Sequence, residues 1–174
     1  MLIKKLAKQY DSQRILLEWN NIKELDHWHN NNQMAIQHRG EISYTDGCGS
    51  IYYDFDLDGN KIKKDIIYDE RNYKYINPIF KGTIFEEIIK EHKGYRARLM
   101  VIKPKSIYTI HFDYGERIHL AISTNDSSYF VFPEHNYTEH IPDDGHLYKV
   151  NTAEKHTFFN ADLKLDRIHM VFCI

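Results

Sequence analysis

Arg96–Asn125 reads RARLMVIKPKSIYTIHFDYGERIHLAISTN, and it divides into three short strands in succession. At its centre sits His111-Phe112-Asp113. A strand sends alternate side chains to the same face, so His111 and Asp113 project together, a few ångströms apart. A neutral imidazole and a carboxylate so placed are two of the three groups in the two-His-one-carboxylate set that holds non-haem Fe(II) with open coordination positions. By itself such a pair also fits a solvated strand face, so the rest of the chain has to decide.

The alternation continues on both sides of this pair. Arg117, His119, Ala121 and Ser123 share one face of RIHLAIS, and Ile118, Leu120 and Ile122 share the other. The last strand repeats the arrangement, with Arg167 and His169 opposed to Ile168, Met170 and Phe172. Thr109, His111 and Asp113 carry the same polar parity. Three strands whose charged faces include a ligand pair read as the lining of a polar cavity rather than as three wet surfaces.

Working outward, strands are expected near 95–103, 106–113, 116–123, 128–132, 146–151, 155–160 and 166–173, with turn residues between them. Closely spaced short strands of this kind predict a sandwich or barrel. Upstream, residues 2–10 predict a strand. Asp11 caps a helix from Ser12 to about Asn20 that buries Ile15, Leu16 and Trp19. DHWHNNNQ is a polar loop, and MAIQH a short strand. Thr83 and Glu86 form a capping box ahead of the apolar stripe Ile84, Phe85, Ile88 and Ile89, with Gly94 ending that helix. Asp54, Asp56, Asp58, Gly59 and Asp65 match the skeleton of a calcium loop. Their flanks alternate like strands, however, and Asp58-Gly59 is a hairpin-turn dipeptide. A plain hairpin is therefore the expectation.

The chain has 174 residues with a net charge of −2, enough for one core and without the basic footprint of a nucleic-acid binder. No repeat or linker divides it, so one domain is expected, with residues 1–93 packed on a core formed by 94–174. No apolar run reaches membrane-spanning length and the N-terminus lacks a signal-peptide core. Cys48 and Cys173 make no disulfide framework, which fits a reducing cytoplasm. The expected partner is a small-molecule or peptide substrate, with no membrane and no nucleic acid.

A third metal ligand must come from across the cavity. His156 is the candidate, because it opens the strand HTFFN after a turn-rich segment. His135, His140 and His146 lie among turn residues, where a ligand is poorly preorganised. Arg167, eleven residues further on, suits a carboxylate through paired charge-assisted hydrogen bonds. Its alternative partners are Asp162 and Asp166.

HxD, a distal His and an Arg on the last strand resemble the signature of the 2-oxoglutarate/Fe(II)-dependent dioxygenases. The wider pattern RLMVIKP…HFD…RIHLAIST-N…H…N…RIHMVF is similar to the aspartyl/asparaginyl β-hydroxylase family, in particular its short stand-alone bacterial and phage members. The likeness covers roughly 94–174 well and is fainter before that. It implies a mostly β double-stranded β-helix (a cupin-like jelly roll) with a few flanking helices. It implies Fe(II) held by His111, Asp113 and His156, and 2-oxoglutarate held at its far carboxylate by Arg167. Arg117 and His119 match the family's RxH, which helps hold the cosubstrate. With O2, such a site hydroxylates an unactivated C–H of an amino-acid or peptidyl Asp/Asn-like substrate, releasing succinate and CO2. His169 and Asn160 are candidate supporting residues, and Tyr108, Arg98, Asn125 and the 133–145 loop candidate substrate contacts. Two other readings start from the same strands. One is a cupin-like metalloenzyme without 2-oxoglutarate, which would not need Arg167. The other is a non-catalytic binding module, which would need neither HxD nor His156.

Overall fold

Strand residues outnumber helical ones, 37% against 16%, so the architecture is set by sheets. The computed structural model describes residues 1–25, 27–30, 32–58 and 60–174. Its strands are β1 (Ile3–Gln9), β2 (Gln33–Ala35), β3 (Gln37–His38), β4 (Tyr53–Phe55), β5 (Lys61–Lys63), β6 (Tyr75–Ile76) and β7 (Tyr95–Ile102). They continue with β8 (Ser106–Ile107), β9 (Arg117–Ser123), β10 (Ser128–Phe132), β11 (Tyr137–Glu139), β12 (His146–Val150), β13 (Thr157–Asn160) and β14 (Arg167–Cys173). The helices are α1 (Ser12–Ile22) and α2 (Ile84–Glu91).

Six strands form the major sheet in the order β1-β12-β9-β14-β7-β2, and four form the minor sheet, β11-β10-β13-β8. All the pairings are antiparallel. The two sheets face one another as a double-stranded β-helix, with α1 and α2 packed outside the major sheet. β1 and β2, its two edges, come from the first 35 residues.

The alternation in β7, β9 and β14 acquires a specific meaning here. Every residue of β14 is buried, as is nearly all of β9, so neither face at the centre of the major sheet is wet. Ala97, Leu99, Val101, Ile118, Leu120, Ile122, Ile168, Met170 and Phe172 pack on the helices, against Ile15, Trp19, Ile22, Phe85, Ile88 and Ile89. The opposite parity enters the space between the sheets, where Met100, Ile102, Ala121 and Val171 meet Phe130, Phe132 and Phe158 of the minor sheet. Burying these faces, at about 25 cal/mol per Å² of apolar surface, holds the sheets and helices together.

Both helices begin where expected. The Asp11 carboxylate accepts from the Gln13 and Arg14 amides at 2.9 and 3.1 Å. Leu16 corrects the expected stripe: it is 44% exposed, and Ile22 takes its place. Residues 15, 19 and 22 follow the helical period, whereas 16 lies a further 100° round. At α2, Thr83 Oγ1 accepts from the Glu86 amide (3.4 Å), and Glu86 Oε2 accepts in return from the amide of Gly82 (2.6 Å). The end of α2 is also a correction. Lys93, not Gly94, takes the left-handed conformation (φ 53°). Gly94 donates its amide to Ile89 O at 2.8 Å, and a Cβ there would stand 2.6 Å from the Phe172 ring. Gly94 is required for close approach, not for its torsions.

β4 and β5 pair as the expected hairpin. Asp56 Oδ1 accepts from the amides of Asp58 and Asn60 (3.0 and 2.7 Å), and Lys64 sits 3.2 Å from Asp54. Gly59 of the expected turn, and Asp26 and Asn31 of the polar loop, lie outside the described residues. Among the described residues, no helix is long and apolar enough to cross a membrane.

Exchanging these two neighbours separates their roles. Gly94→Ala should destabilise the fold by about 1–3 kcal/mol through overpacking. Lys93→Gly should be neutral or stabilising, since it relieves a left-handed residue that costs about 1 kcal/mol. Urea denaturation of both variants measures the difference; equal effects would contradict it.

Candidate metal centre

β8 ends at Ile107, short of the expected strand 106–113, and the ladder reopens at one isolated pair, His111 with His156. Between them lies a bulge. Ser106 and Ile107 stand opposite Asn160 and Phe159, a register that would put Ile110 opposite His156. One extra residue in the 108–111 segment puts His111 there instead. Tyr108 consequently turns inward and stacks on Phe158 with ring centroids 4.8 Å apart, while Thr109 is exposed. Thr109 therefore does not share the inward parity expected of it. Bulges beside active sites commonly re-aim a side chain in this way.

The backbones of His111 and His156 exchange two hydrogen bonds, 3.0 and 2.8 Å. Their rings lie 4.4 Å apart, centroid to centroid. Each ring is oriented by its own chain: His111 Nδ1 lies 2.7 Å from Thr109 O, and His156 Nδ1 lies 2.9 Å from Glu154 O. A carbonyl can only accept, so each Nδ1 carries the proton and each Nε2 keeps its lone pair for a metal. Asp113 is tied to the same edge through its amide, which donates to Thr152 O at 2.8 Å. Ligand atoms of His111, Asp113 and His156 all lie within 4.8 Å of one another. The three residues named from sequence therefore converge with donors suited to one divalent ion. Burial lowers the His156 pKa, which keeps the ring neutral. Burial alone would raise that of Asp113, but the charges of Arg117 and Arg98 outweigh it and hold the carboxylate ionised. The competing histidines are elsewhere: His135 on Glu154 (3.0 Å), His140 on Ser128 O (2.8 Å) and His146 beside Asp144 (3.3 Å).

Arg167 lies deeper. It is 3% exposed, and its Cζ sits 5.0 Å from the ring centroids of both Phe130 and Phe158. Nη2 donates to His169 Nδ1 at 3.2 Å. Asp162 and Asp166 are occupied otherwise: Asp162 accepts from the Lys164 and Leu165 amides, and Asp166 pairs with Lys103 at 2.9 Å. No carboxylate among the described residues is within ion-pair distance of Arg167, and burial pushes its pKa down to about 9. His119 and His169 are fully enclosed beside it. Burial, reinforced by the Arg167 charge, holds both well below the ordinary imidazole range. Neither nitrogen of His119 has a partner, nor does His169 Nε2. Unsatisfied buried polar atoms are rare in folded proteins, so several together on one guanidinium mark a place built for a polar guest.

Arg117 is pinned. Nη2 bonds Glu70 Oε1 at 2.8 Å and lies 3.7 Å from Asp113 Oδ1. Glu70 also binds Arg96, whose other nitrogens reach Gly47 O and Gly49 O at 3.1 and 2.8 Å. A one-residue slip in the β7–β14 register, with Arg96 at φ 51°, frees its amide for Tyr73 O (2.7 Å). Sequence reading missed Glu70, since nothing local links it to arginines 26 and 47 residues away. Asn160 is a structural clasp: its amide nitrogen reaches Ile102 O and Leu165 O, and its oxygen accepts from Asn125 and Ser128.

No family model matches the sequence, and no curated protein matches it. Among solved structures, a Pseudomonas putida prolyl-4-hydroxylase aligns over 98% of this chain and 90% of its own, with a TM-score of 0.52 and 10% identity. A Burkholderia pseudomallei oxidoreductase of the 2OG-Fe(II) oxygenase family aligns over 45% of this chain and 42% of its own, at TM-score 0.39 and 17% identity. A cupin-2 domain protein from Shewanella frigidimarina aligns over 45% and 68%, at TM-score 0.33 and 13% identity. The chain thus spans less than half the length of the Burkholderia relative, and of the three only the hydroxylase alignment extends over the whole chain. It shows a shared double-stranded β-helix.

Glu70→Ala should destabilise the protein by about 3–5 kcal/mol, because it strands two buried guanidinium charges. Denaturation midpoints measure this; a change under 1 kcal/mol would mean that water already compensates Arg96 and Arg117.

Proposed function

We propose that this chain is a 2-oxoglutarate- and Fe(II)-dependent dioxygenase that hydroxylates an unactivated C–H of an amino-acid or peptidyl substrate. The observation that carries the proposal is the pairing of a His-Asp-His cluster with a buried guanidinium that has no carboxylate partner among the described residues. His111, Asp113 and His156 would hold the iron, leaving open positions for a 2-oxo acid and O2. When bound, the metal supplies oxidative decarboxylation of the 2-oxo acid to succinate and CO2, coupled to hydroxylation of the substrate.

The chain's own residues bind and orient. Arg167 receives the far carboxylate of 2-oxoglutarate, which neutralises a charge whose isolation costs several kcal/mol. His119, with both nitrogens unpaired, and His169, with Nε2 unpaired, are neutral and supply hydrogen bonds beside it. Arg117, fixed by Glu70, lies next to Asp113, where it keeps the carboxylate ionised and borders the cosubstrate. Phe130, Phe132 and Phe158 wall this region and exclude water, which strengthens each polar contact inside. No acid or base at the substrate carbon is needed. Aspartyl or asparaginyl β-carbons, in peptides or as free amino acids, are the substrates favoured by the sequence resemblance. A cupin-like metalloenzyme working without a 2-oxo acid leaves Arg167 unexplained.

Under anaerobic conditions Fe(II) and 2-oxoglutarate together should give a weak visible charge-transfer band. Its absence from folded, iron-loaded protein would remove the proposal. His111→Ala and His156→Ala should lose iron retention and 2-oxoglutarate turnover together. Arg167→Ala should keep its iron but bind 2-oxoglutarate more weakly by about 2–5 kcal/mol, measured by titration of that band.

A further inference from the structure

β3 and β6 form a two-stranded sheet of their own, with Gln37 opposite Ile76 and His38 opposite Tyr75. Alternation sends Gln37 and His38 to opposite faces. The Gln37 side chain accepts from the Ala97 amide (2.9 Å) and donates to Gly94 O (3.0 Å), which ties it to β7. His38 turns the other way, into a cavity of about 600 Å³ that it lines with Tyr75, Ile76, Ile42, Lys74 and Lys81. That volume falls within the range of small-ligand sites, about 300–1,000 Å³. None of the lining residues belongs to the metal centre.

His38 is the first observation that points to a ligand. It is 5% exposed, and its ring makes no hydrogen bond to any described residue. Nδ1 is shut in without a partner, whereas Nε2 is not shut in and is the nitrogen the cavity can reach. Burial lowers its pKa against the pull of the Asp46 charge, and Lys81 adds to the lowering, so the ring is neutral. A neutral imidazole has one N–H, and an orphaned buried N–H is rarer than an orphaned acceptor. The proton therefore sits on Nε2 and is offered to the cavity. The backbone beneath is fixed. The Asn77 amide donates to Ile36 O (2.9 Å), and its side-chain nitrogen reaches Ala35 O and Ser43 O at 2.9 and 2.7 Å. These bonds clamp the strand pair to the loop that carries Ile42.

Charge is the second observation. Arg39 and Glu86 also line the cavity, but both are matched. Arg39 donates to the Asp46 carboxylate through Nε (3.0 Å), pairs with it through Nη2 (2.9 Å) and lies 3.7 Å from the centre of the Tyr68 ring. Asp46, whose charge reaches His38, is thereby engaged. Glu86 accepts from the Gly82 amide (2.6 Å) and pairs with Lys90 (2.8 Å). Lys74 and Lys81 have no ion pair with any described residue, so two unmatched cations remain at the exposed rim.

Two ammonium groups present point charges rather than the planar fork that suits a carboxylate, and the one guanidinium has its fork on Asp46. A phosphoryl group carries about −1.5 to −2 charges at neutral pH and three acceptor oxygens. It matches two cations and one N–H donor, whereas a carboxylate leaves a cation over. Tyr75 and Ile42, 51% and 65% exposed, offer apolar surface to the rest of such a molecule. We infer that this cavity binds a small organic phosphate. Lys74 and Lys81 hold the phosphoryl charge, His38 Nε2–H donates to it from the floor, and Tyr75 and Ile42 cover the organic part. The site does not depend on the oxygenase reading.

The test titrates the full chain calorimetrically, in phosphate-free buffer, with phenyl phosphate, inorganic phosphate and benzoate in turn. Wild type should bind one phenyl phosphate at least about tenfold, or about 1.4 kcal/mol, more tightly than benzoate. The double variant Lys74→Gln/Lys81→Gln should lose at least about tenfold in phenyl phosphate affinity. Lys61→Gln/Lys63→Gln removes the same charge from exposed β5 and should bind as wild type does. Tyr75→Ala should bring phenyl phosphate down to the affinity of inorganic phosphate. His38→Phe should weaken both phosphates, and His38→Gln, which keeps a donor, should recover part of the loss. The lysine and Tyr75 variants change exposed side chains, so the test does not rest on the buried imidazole. No phenyl phosphate binding by wild type, unchanged binding in the Lys74/Lys81 variant, or an equal loss in the Lys61/Lys63 variant overturns the inference. Benzoate as tight as phenyl phosphate overturns the phosphoryl assignment. Arg167→Ala should leave phenyl phosphate binding intact; a loss there would put the anion between the two large sheets and overturn the site.

Discussion

The two hydrogen bonds exchanged by the backbones of His111 and His156 are the constraint on which the centre depends. They join the segment that leads to Asp113 to the residues just before β13, and they fix two candidate ligands at once. Because each imidazole is also held by a carbonyl two residues upstream, every hydrogen bond that orients the rings comes from main chain. Side-chain packing then has only to keep water out. A site built this way is rigid where it would grip a metal and leaves its open side to be shaped by whatever residues line the mouth.

Electrostatics supplies the second organising fact. The interior is strongly cationic, yet it is sealed by the two sheets, and burial holds its imidazoles neutral. Glu70 compensates one pair of arginines and Asp113 is kept ionised by the surplus. Arg167, with no carboxylate among the described residues within ion-pair distance, is costly in the folded protein, a cost that a bound anion would offset. The arrangement explains why so many buried polar atoms are tolerated without internal partners.

Much of this was legible in the sequence, because strand parity is a strong physical signal. From 95 onward the expected strands lie within two residues of the observed ones, except that β8 stops six residues short and β11 is not foreseen, and the polar parity of β9 and β14 points to a lined cavity. The triad and Arg167 followed from residue type and spacing together with the family resemblance. What failed had local causes. Alternation sends Thr109 inward because it cannot register the one residue that a bulge adds, and the run Ile15-Leu16-Leu17 leaves the phase of α1 open. The role of Gly94 was misread since close approach to Phe172 is a tertiary fact. Glu70 could not have been found at all, as its partners are remote in sequence and a lone acidic residue carries no pattern.

The placement of β1 has a consequence for how the molecule is made. Ile3 pairs with Val150, so β1 waits until the distant β12 has been made before its neighbour exists. Such long-range pairing slows folding through the entropy of closing a large loop, and β12 keeps an open edge until the closure occurs. The lysines spread along β1, at 4, 5 and 8, are suited to that interval, since like charges discourage a waiting strand from pairing with another copy of itself.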